Sequence, residues 1–247
     1  LFNRVLEEDI QYMKEGLAKG ILTKERLNEA VTRILATKAS LGLHETINHG
    51  SASFEDYKKE QLDLADRSIT LVKDTQNMLP LNFENHKRVL LQLLGSFDSN
   101  ERVLKKVTEE LEKRGFEITV YEPEINFFDL GTVESFSNDF DAVLYIVNIQ
   151  NASNQTVARI HWHTLFGLGN NMPWFTKEVP TALISFGNPY HLYDLPMVET
   201  VVNAYCNYDH FIEMAIKKLT GESSFKGVSP VNAFCDNSLL EGLKNED

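Results

Sequence analysis

Twelve residues, Val179-Pro-Thr-Ala-Leu-Ile-Ser-Phe-Gly-Asn-Pro-Tyr190, limit the folds open to this chain more than any other stretch. Thr181 to Phe186 is a short, nearly continuous apolar run with β-branched residues, opened by Pro180 and stopped by Gly187, Asn188 and Pro189. Such a run fits a strand buried on both faces, since a half-buried strand would alternate with polar residues. Proline is tolerated at a strand's first residue, and a Gly-Asn-Pro sequence supplies the backbone angles of a sharp turn. In an open α/β sheet the turn at the carboxyl end of such a strand faces the crevice where ligands bind. Gly187 to Tyr190 is therefore a functional candidate as well as a turn.

The remaining segments repeat that pattern. Ser68 to Asp74, Arg88 to Leu94, Glu117 to Tyr121, Ala142 to Ile149 and Glu199 to Tyr205 read as strands. Phe54 to Arg67, Asn100 to Arg114 and Tyr208 to Leu219 read as helices between or beside them. This alternation predicts an α/β fold with a mostly parallel sheet flanked by helices, a flavodoxin-like three-layer sandwich, over residues 54–247. Residues 1–43 differ: Val5, Ile10, Met13 and Leu17 fall near one helical face. After Gly20, Thr23 can cap a second helix with a stripe of Leu27, Ala30, Val31, Ile34 and Leu35, closed at Leu41-Gly-Leu43. Residues 44–53, rich in His, Asn, Gly and Ser, read as a linker.

A formal charge of −12 over 247 residues argues against nucleic acid or an anionic membrane surface as partner, because both require clustered Lys and Arg. No run is long enough for a transmembrane helix, and the first residues lack the layout of a signal peptide. The chain starts without Met, inside an expected helix, as a piece of a longer protein would. Cys206 and Cys235 lack disulfide-framework or metal-ligand spacing, and are expected as two buried free thiols, which favours a reducing, cytoplasmic setting.

Three stretches together resemble the C-terminal part of family 3 glycoside hydrolases. Ala30-Val-Thr-Arg-Ile-Leu-Ala-Thr-Lys-Ala-Ser-Leu-Gly-Leu43 looks like the last helix of that family's catalytic (β/α)8 barrel. Ala65-Asp-Arg-Ser-Ile-Thr-Leu-Val-Lys-Asp74, running on to Met78-Leu-Pro-Leu81, looks like the entry into its second domain, an α/β sandwich. Pro180 to Tyr190, Ala204-Tyr205, Leu219-Thr-Gly221 and Lys226-Gly-Val-Ser-Pro-Val231 look like that domain's later strands and closing loop. The resemblance makes the first two helices a remnant of the barrel, whose apolar stripes must dock on the sandwich, pair in a dimer or stay partly exposed. It also implies a retaining mechanism with a carboxylate nucleophile and a separate acid/base. No stretch here matches the barrel motif that carries the nucleophile.

In the family's β-glucosidase-like branch the acid/base is a Glu in a loop after a central strand of the second domain. The matching segment here, Gln150 to His163, contains no Glu or Asp. In the β-N-acetylhexosaminidase branch a barrel-loop His paired with Asp serves instead, so the resemblance implies that branch. It also implies that no catalytic residue lies in this chain.

Arg159-Ile-His-Trp-His163 is the most chemically loaded stretch. In a strand His161 and His163 would share one side, with Trp162 opposite. A metal would need a third ligand, and no nearby Cys, Asp or Glu offers one, so no metal or organic cofactor is expected. Aromatic faces with Arg, His and Asn donors suit a sugar, whose CH face packs on rings while its hydroxyls take polar contacts. The candidate substrate contacts are Arg159, His161, Trp162, His163, Asn188 and Tyr190; the bland alternative is a satisfied structural loop. Gly167-Leu-Gly169 lacks dinucleotide spacing, and no G-x-S-x-G elbow surrounds Ser68, Ser185 or Ser229. Asp139-Phe-Asp141 reads as a solvated turn, and Glu109-Glu110 with Lys105-Lys106 as a helix surface carrying i,i+4 ion pairs.

The expected activity of the intact protein is hydrolysis of terminal β-linked N-acetylglucosamine, with the carbohydrate held through the barrel and this segment alone inactive. One alternative is a non-catalytic carbohydrate- or protein-binding α/β module. Another is a β-glucosidase-type enzyme, using Glu122, Glu124 or Glu134.

Overall fold

The computed structural model describes residues 5–45, 57–95, 100–121, 132–151, 158–162 and 171–235. It divides into two compact units, Leu1–Ser53 and Phe54–Asp247. The first unit holds α1 (Leu6–Ala18) and α2 (Lys24–Ser40). Thr23 caps α2 by accepting from the Arg26 N–H at 3.1 Å, and Leu43 N–H closes it on the Lys38 carbonyl. Neither helix buries a residue, so the stripe of Val31, Ile34 and Leu35 is exposed.

The second unit is built on a six-stranded sheet: β1 (Thr70–Asp74), β2 (Arg88–Leu94), β3 (Glu117–Tyr121), β4 (Ala142–Val147), β5 (Thr181–Ser185) and β6 (Thr200–Asn203). Their order across the sheet is β1-β6-β5-β4-β2-β3. All pairings are parallel except β1 with β6, so the sheet is mixed, with one antiparallel edge. Every residue of β4 and β5 is buried, as their unbroken apolar runs require.

Alternate residues of each strand feed two separate cores, the consequence of a side-chain period of two. Val89, Leu91, Leu144, Ile146, Ala182, Ile184 and Val202 pack beneath α3 (Lys58–Ser68), α4 (Asn100–Glu112) and α6 (Asp209–Leu219). Leu90, Val143, Tyr145, Val147, Leu183 and Val201 face the opposite way. That face is covered by α5 (Val133–Asp139), a seven-residue helix not expected from sequence, and by irregular chain bearing Phe175, Val179, Leu192 and Leu195. Phe136 of α5 stacks on Phe175, with centroids 4.3 Å apart.

Three polar clusters fix the frame. The Asp74 carboxylate accepts from the N–H groups of Met78 and Leu79 at 3.0 and 3.1 Å, and from the Thr200 hydroxyl at 2.6 Å. This explains the Lys-Asp to Met-Leu-Pro-Leu signature as a turn wired to β6. Asp141 is not a solvated turn residue: it grips Arg88 bidentately, and the Arg88 guanidinium holds its carboxyl below the usual range. The expected i,i+4 ion pairs form, Lys106 with Glu110 at 2.9 Å and Lys105 with Glu109 at 4.0 Å, but Glu110 is buried. Burial pushes its carboxyl up, yet hydrogen bonds from Lys113, Lys106 and Arg114 win and hold it at about 2. Cys206 is half-buried and Cys235 exposed, against the expectation of two buried thiols. No described helix is long and apolar enough to cross a membrane.

Candidate functional site

The chain leaves β2 toward β3 on one side and returns to β4 on the other. The carboxyl ends of β2 and β4 therefore form the sheet's topological switch point, where crevices open in such folds. Its floor is already packed with amides. Asn148, fully buried after β4, donates to Asn100 Oδ1 at 2.7 Å at the start of α4 and accepts from Asn207 Nδ2 at 3.0 Å. The Asn207 carbonyl accepts in turn from Arg102 Nη2 at 2.8 Å. These amides tie the start of α4 to the segments after β4 and β6, a bracing role that strand patterning could not announce.

Beside this floor stands the turn after β5. Gly187 has φ of 126° and lies against the Ile149 carbonyl, where a Cβ would come within 2.9 Å of the oxygen. Asn188 forms a local turn, its Oδ1 accepting from Tyr190 N–H at 2.8 Å, which leaves the Tyr190 ring exposed. A 3-10 turn, His191–Asp194, follows. The buried His191 places Nδ1 2.8 Å from Ser185 Oγ, and the same hydroxyl reaches the Asn188 carbonyl at 2.7 Å. His191 Nε2 is buried near the Ala158 carbonyl without a hydrogen bond of normal geometry. Burial pushes the imidazole down to about 4, outweighing the Asp194 carboxylate that favours its charge. His191 is thus neutral at neutral pH and acts as packing.

Residues 158–162, after β4, are irregular and not a strand. They form a loop, so the same-side placement that a strand would give His161 and His163 does not apply; His163 lies outside the described residues, as do Glu122 and Glu124. Arg159 pairs through Nε and Nη2 with Asp194 and sits 5.3 Å over the Tyr193 ring. The His161 side chain is exposed, while Trp162 is half-buried against the second core. Asn171 Nδ2 donates to the His161 carbonyl at 3.1 Å, and Tyr145 OH to the Asn171 carbonyl at 3.0 Å.

Arg159 and Ile160 thus meet the turn that carries Asn188 and Tyr190, through Asp194, while Arg159 and Asn188 already spend polar groups on the fold. Sequence reading missed Asp194, His191 and Asn148; the one cue was a carboxylate placed just beyond the Gly-Asn-Pro-Tyr turn. Glu134 is exposed in the first turn of α5. Among the described residues no three His, Cys, Asp or Glu side chains are placed to hold a metal ion. Of the candidate contacts that are described, the His161 side chain and the Tyr190 ring are exposed and Trp162 is half-buried.

No family model matches the chain. It is 38% identical over 248 residues to a β-N-acetylglucosaminidase/β-glucosidase of Cellulomonas fimi, covering 95% of this chain and 44% of that protein. Among solved structures it is similar to a β-glucoside phosphorylase, BglX, with a TM-score of 0.77 and 36% identity over 97% of this chain and 44% of that one. A glycoside hydrolase family 3 β-N-acetylglucosaminidase from Paenibacillus sp. str. FPU-7 shares the fold, with a TM-score of 0.52 and 18% identity over 87% of this chain and 40% of that one. The chain thus spans less than half the length of the relatives it matches.

Proposed function

Since this chain carries the C-terminal α/β domain of the glycoside hydrolase family 3 enzymes, we propose that it forms one wall of the sugar cleft of a retaining β-glycosidase acting on terminal β-linked N-acetylglucosamine. The observation that carries this reading is the run from Asn148 to His163 after β4, which contains no Asp or Glu. In this reading the loop after β4 therefore supplies no carboxylate acid/base. The nucleophile and the acid/base come from the barrel, in the geometry a two-step displacement needs. This domain supplies shape, aromatic surface and hydrogen bonds, and on its own turns over nothing. The exposed stripe of α2 is available for packing against further barrel elements or a second copy.

A second reading has its own support: the 36% identical neighbour is a β-glucoside phosphorylase, and the curated relative is described for glucosides as well as N-acetylglucosaminides. In that reading the sugar is glucose and phosphate replaces water as the acceptor. The test is to extend the protein to the length of its relatives and assay chromogenic β-N-acetylglucosaminide and β-glucoside, each with and without phosphate. A preference for the N-acetylglucosaminide supports the first reading. Phosphate-dependent release of glucose 1-phosphate from the glucoside supports the second. Turnover by the 247-residue chain alone would overturn both.

A further inference from the structure

Residues 158–162, after β4, carry an exposed imidazole and a half-buried indole, yet belong to no helix or strand that would hold them. The hydrogen bonds of an irregular segment must go to side chains or neighbouring loops. Here one carboxylate takes a backbone N–H and a guanidinium of the segment. The Asp194 side chain is only 5% exposed. Its Oδ1 receives Arg159 Nε and Nη2, and its Oδ2 receives the Ile160 N–H at 3.2 Å. Asp194 itself stands on the 3-10 turn, which is anchored by the buried Leu192, Leu195 and His191. The second anchor is Asn171, holding the His161 carbonyl from the other side.

We infer that Asp194 is a positioning residue, which locks the loop after β4 onto the turn after β5 and so presents His161 and Trp162 to the sugar. This rests on the reading of the domain as a wall of the sugar cleft. Asp194 touches no substrate; it acts through the loop. Arg159 is the clamped partner, its guanidinium held between a carboxylate and the Tyr193 ring, and not a free donor to substrate.

Two measurements on Asp194→Asn test this. The chain has two tryptophans, so in a Trp174→Phe background Trp162 alone reports the loop, and iodide quenching of its emission measures release. Asp194→Asn should raise the quenching constant about twofold, with the thermal midpoint little changed. In the protein extended to its relatives' length, the same substitution should raise KM about tenfold while kcat stays within about twofold, the signature of lost uniform binding. Unaltered quenching overturns the inference, whatever the enzyme assay shows. So does a fall in kcat and thermal midpoint with KM unchanged, which marks a residue of the fold only. Raised quenching in a protein inactive on every glycoside overturns the sugar-cleft reading instead, and with it the role assigned to the loop.

Discussion

Replacing Gly187 with Ala separates two costs that the turn after β5 imposes. The first is conformational: φ is 126°, where an L-residue costs about 1–3 kcal/mol. The second is steric, because the added Cβ would lie 2.9 Å from the Ile149 carbonyl oxygen and 3.0 Å from Gln150 Cγ. The Gln150 side chain can swing away. A backbone oxygen at the end of a central strand cannot, and relieving it costs about 1–3 kcal/mol, as overpacking elsewhere does. Gly115 supplies the control, with φ of 91° and nothing within 4 Å of a built Cβ. Gly115→Ala should therefore lose about 1–3 kcal/mol, from the backbone alone. Gly187→Ala should lose about 2–6 kcal/mol, both costs together. In a domain of this size each kcal/mol moves Tm by about 2–4 °C, so a steric cost of about 2 kcal/mol should separate the two variants by roughly 4–8 °C in a thermal scan. Urea midpoints at constant m value would confirm that stability alone has changed. Equal losses in the two variants would refute the argument that β4 and β5 exit in backbone contact.

Asp66 receives Lys218 at 2.9 Å, with Lys226 and Ser223 alongside, and the Lys218 side chain is fully buried. Asp66→Ala strands that charge and should cost about 3 kcal/mol, whereas Lys218→Met should cost about 1 kcal/mol or less; urea unfolding ranks them, and the reverse order would sink the claim. The His191 imidazole is held by burial at about 4, below its ordinary 6.5, so the unfolded chain takes up the proton first. Stability from this group is full above pH 6.5 and falls by about 3 kcal/mol as pH drops to about 4, a slope that His191→Gln should remove in urea titrations across that window.

The sheet was legible because buried strands announce themselves as short apolar runs between turn residues. β2 and β3 begin and end where the pattern put them. The direction of β1 was not legible, since Thr70–Asp74 reads the same in either orientation and its partner β6 lies some 130 residues away. Helix α5, at seven residues, is too short to show a period. The misread Asp141 and the missed Asp194 share one cause. Asp141 answers to Arg88, 53 residues earlier, and Asp194 to Arg159, 35 residues earlier. Local spacing shows i,i+4 pairs and nothing longer.

The polar groups at the carboxyl end of the sheet are mostly turned inward: Asn148 to Asn100 and Asn207, Asn188 to Tyr190 N–H, Asp194 to Arg159. Among the described residues the turn after β5 exposes the Tyr190 ring at 43% and the Tyr193 ring at 46%. Tyr193 is committed to Arg159, so of that turn's two rings Tyr190 is the one open to stack on a sugar. An exposed ring contributes little to folding, so Tyr190→Ala should change stability by less than about 0.5 kcal/mol. A stacking contact is worth about 1 kcal/mol, so KM for the glycoside should rise about fivefold in the protein extended to its relatives' length. Tyr190→Phe keeps the face and loses only the hydroxyl, and should stay within about twofold of the parent. If Tyr190→Phe proved as damaging as Tyr190→Ala, the hydroxyl and not the ring face would be the contact. If neither altered KM, the turn that orders this part of the sheet would be a scaffold without a hand in binding.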